Sequence, residues 1–100
     1  MEVQKCYYAS FNVGNVEVWG SGLYLEKDSV IKEIEESIEE VAERIECFSI
    51  FVDEDKAKEI LEKNVVPNFK QYEEYKDKEN NFDFFILEQP IWENYEQKKR

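Results

Sequence analysis

Histidine is absent from this sequence, and cysteine occurs only twice. Without histidine, a serine or cysteine nucleophile loses its usual general base. Cys6 and Cys47 are too few and too far apart to build a zinc site, which needs three or four ligands at characteristic spacing. Both lie in runs that read as strands, where a free cysteine behaves as a small buried hydrophobe, so both are expected to be buried and reduced. No apolar run approaches the roughly 18 residues of a membrane-spanning helix. The N-terminal MEVQKCYYAS has no basic block followed by an apolar block, so no secretory signal is visible and the expected location is cytoplasmic.

Positive charge is also scarce. Lys and Arg number 13 against 24 Asp and Glu, a net charge of −11. A polyanion is repelled by nucleic acid and by anionic membranes, which excludes both as direct partners and favours a basic protein. Nothing in the chain points to a small-molecule ligand or a cofactor. Hydrophobic content of 42% with 15% aromatics argues for a folded chain, not an acidic tail. One hundred residues without repeats or a Gly/Ser linker read as a single acidic α+β domain, 1–100.

The dominant stretch is Asp28–Cys47, DSVIKEIEESIEEVAERIEC. Ile31, Ile34, Ile38, Val41, Ala42 and Ile45 recur at helical spacing and make one apolar stripe. A single helix is predicted, with Asp28 or Ser29 as its N-cap. Between the apolar positions stand seven glutamates, and Asp28 brings the acids to eight against Lys32 and Arg44. Glu35–Glu39, Glu36–Glu40 and Glu39–Glu43 would be like-charged i,i+4 pairs, together costing on the order of 1 kcal/mol. That cost points to Glu33, Glu36, Glu39, Glu40 and Glu43 as a partner-binding row.

Around this helix, residues 3–13 alternate as a strand, with Gly14-Asn15 as a two-residue hairpin turn and a second strand over 16–26. That register sets Phe11 opposite Val18. Gly20-Ser21-Gly22 marks either a bulge or a close approach of another backbone or an aromatic ring. A bulge would bring Leu23 and Leu25 onto the face of Val18, with Trp19 pointing away from the core before the break. The same G-S-G lacks the spacing and lysine of a phosphate-binding loop. CFSIFV, residues 47–52, reads as a central strand covered on both faces. Asp53 caps a further helix that should stop at Asn64, ahead of Pro67. Residues 68–79 are ambiguous between helix and edge strand, with Phe69, Tyr72 and Tyr75 favouring helix. FDFFILE, residues 82–88, is the last strand, ended by Pro90.

The order β-β-α-β-α-(α)-β gives an α+β fold: a two-layer sandwich with a mostly antiparallel four-stranded sheet and helices on one face. Asp53, Glu54 and Asp55, with the E-x-K run Glu54–Lys56, have the makings of a metal or nuclease site. Helix capping accounts for all three acids, so neither a metal nor an enzyme is expected. Fifteen aromatics exceed what so small a core must hold, which adds Trp92 and Tyr95 to the partner-binding residues.

No residue motif names a family. In size, charge and layout the chain resembles two groups of proteins: small acidic inhibitors that bacteriophages direct against CRISPR or restriction enzymes, several of them nucleic-acid mimics, and acidic immunity proteins that neutralise bacterial toxins. The resemblance implies a non-enzymatic inhibitor of a basic, nucleic-acid-acting enzyme, or an immunity protein. A structural or regulatory subunit with a merely solvated acidic face is the remaining alternative.

Overall fold

The computed structural model describes the backbone of residues 3–92 and the side chains of residues 4–90. Strand β1 (Val3–Val13) turns at Gly14-Asn15 into β2 (Val16–Gly20). Gly14 has a positive φ of 65°, the left-handed conformation that this turn requires. After the helices, β3 (Glu74–Asp77) and β4 (Phe82–Trp92) complete an antiparallel sheet of order β2-β1-β4-β3. Asn81, also at φ 65°, makes the second tight turn in a conformation that asparagine tolerates better than most residues. The helices α1 (Lys27–Glu36), α2 (Ile38–Phe48), α3 (Glu54–Ile60) and α4 (Val66–Phe69) cover one face of this sheet. The α+β fold with a four-stranded antiparallel sheet expected from the sequence is the fold observed. Its order is β-β-α-α-α-α-β-β rather than β-β-α-β-α-(α)-β, because no strand forms between the helices.

An aromatic seam crosses the covered face with one ring from each strand. Trp19 of β2 lies opposite Phe11 of β1, Phe11 opposite Phe84 of β4, and Phe84 opposite Tyr75 of β3. Phe11 and Phe84 stack with centroids 4.4 Å apart, and the Trp19 and Tyr75 rings lie 5.3 and 6.1 Å from their neighbours. Such pairs contribute about 0.5–1.5 kcal/mol each beyond their area burial.

Trp19 is therefore in the core, only 4% exposed, and does not face outward as the expected register would have it. The bulge comes earlier than the glycines suggest. Asn12 lies opposite Glu17 and Phe11 opposite Trp19, so Val18 is the extra residue and the phase resets before Gly20. The strand then ends at Gly20, not at Glu26, and Leu23 and Leu25 are exposed. The chain stays on the β1 edge through another device. Ser21 donates its N–H to the Ala9 carbonyl (3.1 Å), and its Oγ accepts the Ala9 N–H (2.7 Å). Tyr24 then exchanges both backbone bonds with Tyr7.

The acidic stretch forms two helices rather than one. At Ser37 (φ −112°, ψ 15°) the ladder breaks, and its N–H bonds to the Ile34 carbonyl. Neither Asp28 nor Ser29 caps α1. Glu26 holds the cap position without a side-chain bond, and Asp28 instead lies in the first turn, where its charge complements the helix dipole. The stripe Ile31, Ile34, Val41, Ala42 and Ile45 is buried as expected, and Ile38 at the break is half-buried.

CFSIFV is not a strand. Cys47 and Phe48 finish α2, and the rest is a connection into α3, with only Val52 buried. A continuous apolar run does not itself distinguish a doubly covered strand from a helix end and its connector. Asp53 caps α3 as expected, its Oδ1 accepting the Lys56 N–H at 2.9 Å. That helix does not stop at Asn64. It widens into a π-helical turn over Leu61–Val65, in which the Val66 N–H reaches the Leu61 carbonyl, and continues as α4 through Pro67. Proline offers no N–H and crowds the carbonyl four residues back, so the wide turn lets the chain pass it without stopping.

Residues 68–79 split: Phe69 ends α4 inside the core, and Glu74–Asp77 is the edge strand β3, so the preference for helix fails at Tyr75. Pro90 does not end β4, which pairs with β1 as far as Trp92. Ile86 gives its N–H to Glu73 on the β3 side. N–H directions alternate, so the missing donor of Pro90 faces that same side, beyond the end of β3, where no ladder bond is lost.

Candidate partner-binding surface

The row of carboxylates lies on α1 and α2, and its members are not equivalent. Glu33 is held inward. Its Oε1 accepts the Tyr24 hydroxyl at 2.8 Å and the Gly22 N–H at 3.1 Å, so it fastens the β2–α1 loop to α1. Burial and the Glu33 and Glu36 charges add to that hydrogen bond in raising the Tyr24 phenol above its ordinary pKa. Glu40 pairs with Arg44 at 3.1 Å, as its i,i+4 spacing predicts, and Glu39 lies 3.8 Å from Lys58 of α3. Glu36, Glu43 and Glu46 are exposed and have no ion pair among the described residues.

The break at Ser37 changes the electrostatics of the row. Glu35–Glu39 and Glu36–Glu40 straddle it, so only Glu39–Glu43 remains a like-charged i,i+4 pair within one helix. The carboxylates then sit along two helix segments instead of one straight line. Between α1, α2 and α3 lies a shallow cleft of about 310 Å³ lined by Glu35, Glu36, Ile38, Glu39, Lys58 and Glu62. Its four carboxylates exceed the two ammonium groups near them, Lys58 by Glu39 (3.8 Å) and Lys70 by Glu35 (4.0 Å). With Ile38 beside them they suit the aliphatic stem and cationic head of a lysine or arginine. Glu59 does not join this field. Lys63 (3.2 Å) and Lys56 (3.7 Å) hold it, and the Lys63 hydrogen bond and charge lower its pKa.

Asp53 spends its carboxylate on the α3 cap, and Glu54 and Asp55 occupy the first turn, where they complement the helix dipole. Among the described residues no three Cys, Asp or Glu side chains are grouped to hold a metal ion.

Of the tyrosines in the 68–79 stretch, Tyr75 belongs to the seam, whereas Tyr72 is exposed. The Trp92 backbone closes the β1–β4 ladder opposite Val3, but its side chain, like all of Tyr95, lies outside the described residues. Cys6 is buried in β1 as expected. Cys47 is exposed near the end of α2, which corrects the expectation that both cysteines are buried.

Sequence reasoning missed an apolar surface. Phe48, Ile50 and Phe51 are 55%, 89% and 59% exposed, in the connection between α2 and α3. The apolar run 47–52 carries the signal, because an apolar run that is not a covered strand leaves its side chains in water.

A comparison with protein-family models finds no match, and comparisons with curated proteins and solved structures find none either. Among the described residues no helix is long and apolar enough to cross a membrane.

Proposed function

We propose that this chain is a small, acidic, non-enzymatic inhibitor that occupies the basic groove of a nucleic-acid-acting enzyme, in the manner of the phage proteins that block CRISPR or restriction nucleases. The observation that carries this reading is the exposed carboxylate row on two packed helices. Along α2, Glu39, Glu40, Glu43 and Glu46 span about 10 Å at roughly 1.5 Å per residue. That is a carboxylate about every 3.5 Å, close to the roughly 3.4 Å spacing along one DNA strand, although Arg44 offsets the charge of Glu40. Helices present the charges at fixed spacing, so little ordering entropy is lost on binding. Glu36, Glu39, Glu40 and Glu43 are the proposed contact residues, Glu33 positions the loop beside them, and Trp92 and Tyr95 are proposed as aromatic contacts.

The test is inhibition of DNA cleavage by a panel of RNA-guided nucleases, restriction endonucleases and nuclease toxins. The parent should inhibit a member of the panel, and weaken steeply between about 50 and 200 mM salt, as exposed charges are screened over roughly 10 Å. Glu36→Lys with Glu40→Lys should abolish inhibition, because like charges then meet across the interface. A double variant that inhibits as well as the parent would remove the acidic row from the mechanism. Inhibition confined to a toxin would make the chain an immunity protein, which uses the same surface chemistry. No inhibition anywhere in the panel would leave the row as the solvated face of a structural or regulatory subunit.

A further inference from the structure

The α2–α3 connection is built to hold apolar side chains in water. Ser49 Oγ accepts the N–H groups of both Phe51 and Val52 at 3.1 Å, which fixes the turn locally. Val52 is drawn into the core and Asp53 is tied to the α3 cap. Between these anchors Ile50 and Phe51 stay exposed, as does Phe48 at the end of α2. Three large hydrophobes within four positions of the chain thus leave on the order of a few hundred Å² uncovered. Contiguous patches of that size on soluble proteins mark interaction sites, whereas single exposed hydrophobes are ordinary. A hydrogen-bonded turn also means that little conformational freedom is lost when the patch docks.

The surroundings specify the occupant. Glu43, Glu46, Asp53, Glu54 and Asp55 flank the patch in the chain, and the two bases of the same stretch are already engaged: Arg44 with Glu40 and Lys56 with Glu59. A second copy would press two acidic rims together at a net charge of −11 each, and an anionic membrane would be repelled in the same way. We propose that Phe48, Ile50 and Phe51 form an apolar anchor that inserts into a hydrophobic pocket rimmed by lysine and arginine on the protein partner. This rests on the reading of the chain as a binder of a basic protein. It adds the feature a carboxylate row lacks, a desolvated centre inside a polar rim, where interface energy concentrates.

The test uses two labelled synthetic helices with identical leucine faces, one flanked by lysines and the other by glutamates, titrated into the full chain by fluorescence anisotropy. The lysine-flanked helix should bind the parent, and Phe48→Ser/Ile50→Ser/Phe51→Ser should weaken that binding at least tenfold while circular dichroism stays unchanged. Equal affinity of the triple variant, or no measurable binding to the parent, overturns the anchor. So does a parent dimer in sedimentation equilibrium, or binding to phosphatidylserine vesicles, that the triple variant abolishes. The charge-based reading fails separately, if the glutamate-flanked helix binds as tightly as the lysine-flanked one. Loss of binding in Glu36→Lys/Glu40→Lys with none in the serine variant keeps that reading and discards the anchor.

Discussion

Tyr24 donates its hydroxyl to Glu33 Oε1 at 2.8 Å, and the same oxygen takes the Gly22 N–H. One carboxylate of the acidic row thus closes the β2–α1 loop. Because the bond needs a neutral phenol, it holds the Tyr24 pKa above the ordinary value near 10, with burial and the Glu33 and Glu36 charges acting in the same direction.

A group whose folded pKa is raised stabilises the fold below its unfolded pKa, and that contribution disappears as pH rises through the folded value. Stability from this contact should therefore be intact up to about pH 10 and decline above it. In a phenolate absorbance titration one late-titrating tyrosine should vanish in Tyr24→Phe and move back toward 10 in Glu33→Ala. Identical titration of parent and Glu33→Ala would show that the bond does not form in solution.

The cysteines should differ in reactivity. Cys47 is exposed and Cys6 is buried in β1 with its Sγ 3.4 Å from the Gln89 carbonyl. A disulfide-exchange reagent should label one thiol rapidly in the native protein and the second only on unfolding. Cys47→Ala should remove the fast phase with little change in melting temperature, whereas Cys6→Ala should cost about 1 kcal/mol. Two fast thiols would mean that Cys6 is not covered.

Trp19→Ala removes the end of the aromatic seam from a site 4% exposed. The expected loss is about 3–5 kcal/mol, a large share of the roughly 5–15 kcal/mol that holds a domain together. Urea unfolding measures it, and Trp19→Phe should recover much of the loss. A cost below about 1 kcal/mol would return Trp19 to the surface.

How much was legible depends on whether a signal is local. The alternation of β1, the Gly14-Asn15 turn, the stripe from Ile31 to Ile45 and the Asp53 cap all act within a few residues, and each is where periodicity or side-chain chemistry puts it. What failed depends on distant partners. The bulge at Val18 exists because Trp19 meets Phe11, a tertiary preference that Gly20 and Gly22 do not encode. Pro90 is tolerated because β3 ends before reaching it, and Glu74–Asp77 is a strand because β4 offers an edge. Of the proposed surface, the carboxylates were legible from spacing, but the capture of Glu33 needed the loop, and the Phe48–Phe51 patch was hidden by the rule that apolar runs are buried.

The break at Ser37 separates two charge reversals that would both be stabilising in one straight helix. Glu43→Lys places a lysine four residues after Glu39 within α2, in the favourable order, and three after Glu40. It converts a repulsive pair to an attractive one and should stabilise by about 0.5 kcal/mol, raising the melting temperature by roughly 2–4 °C. Glu35→Lys would also gain a contact with Glu39 in a continuous helix, weaker because the lysine then precedes the glutamate. Here the two stand on different helices, and the substitution instead brings a lysine to Lys70, which Glu35 approaches at 4.0 Å. Exposed pairs of this kind contribute little, and the cleft carboxylates Glu39 and Glu62 offset the Lys70 repulsion, so Glu35→Lys should stay within a few tenths of a kcal/mol of neutral. Both effects should shrink in about 1 M salt, where the screening length falls to about 3 Å. Clear stabilisation by Glu35→Lys in thermal melts would mean that α1 and α2 are one helix in solution. The carboxylate row would then be straight, and the cleft between α1, α2 and α3 would lose the geometry that suits a lysine or arginine.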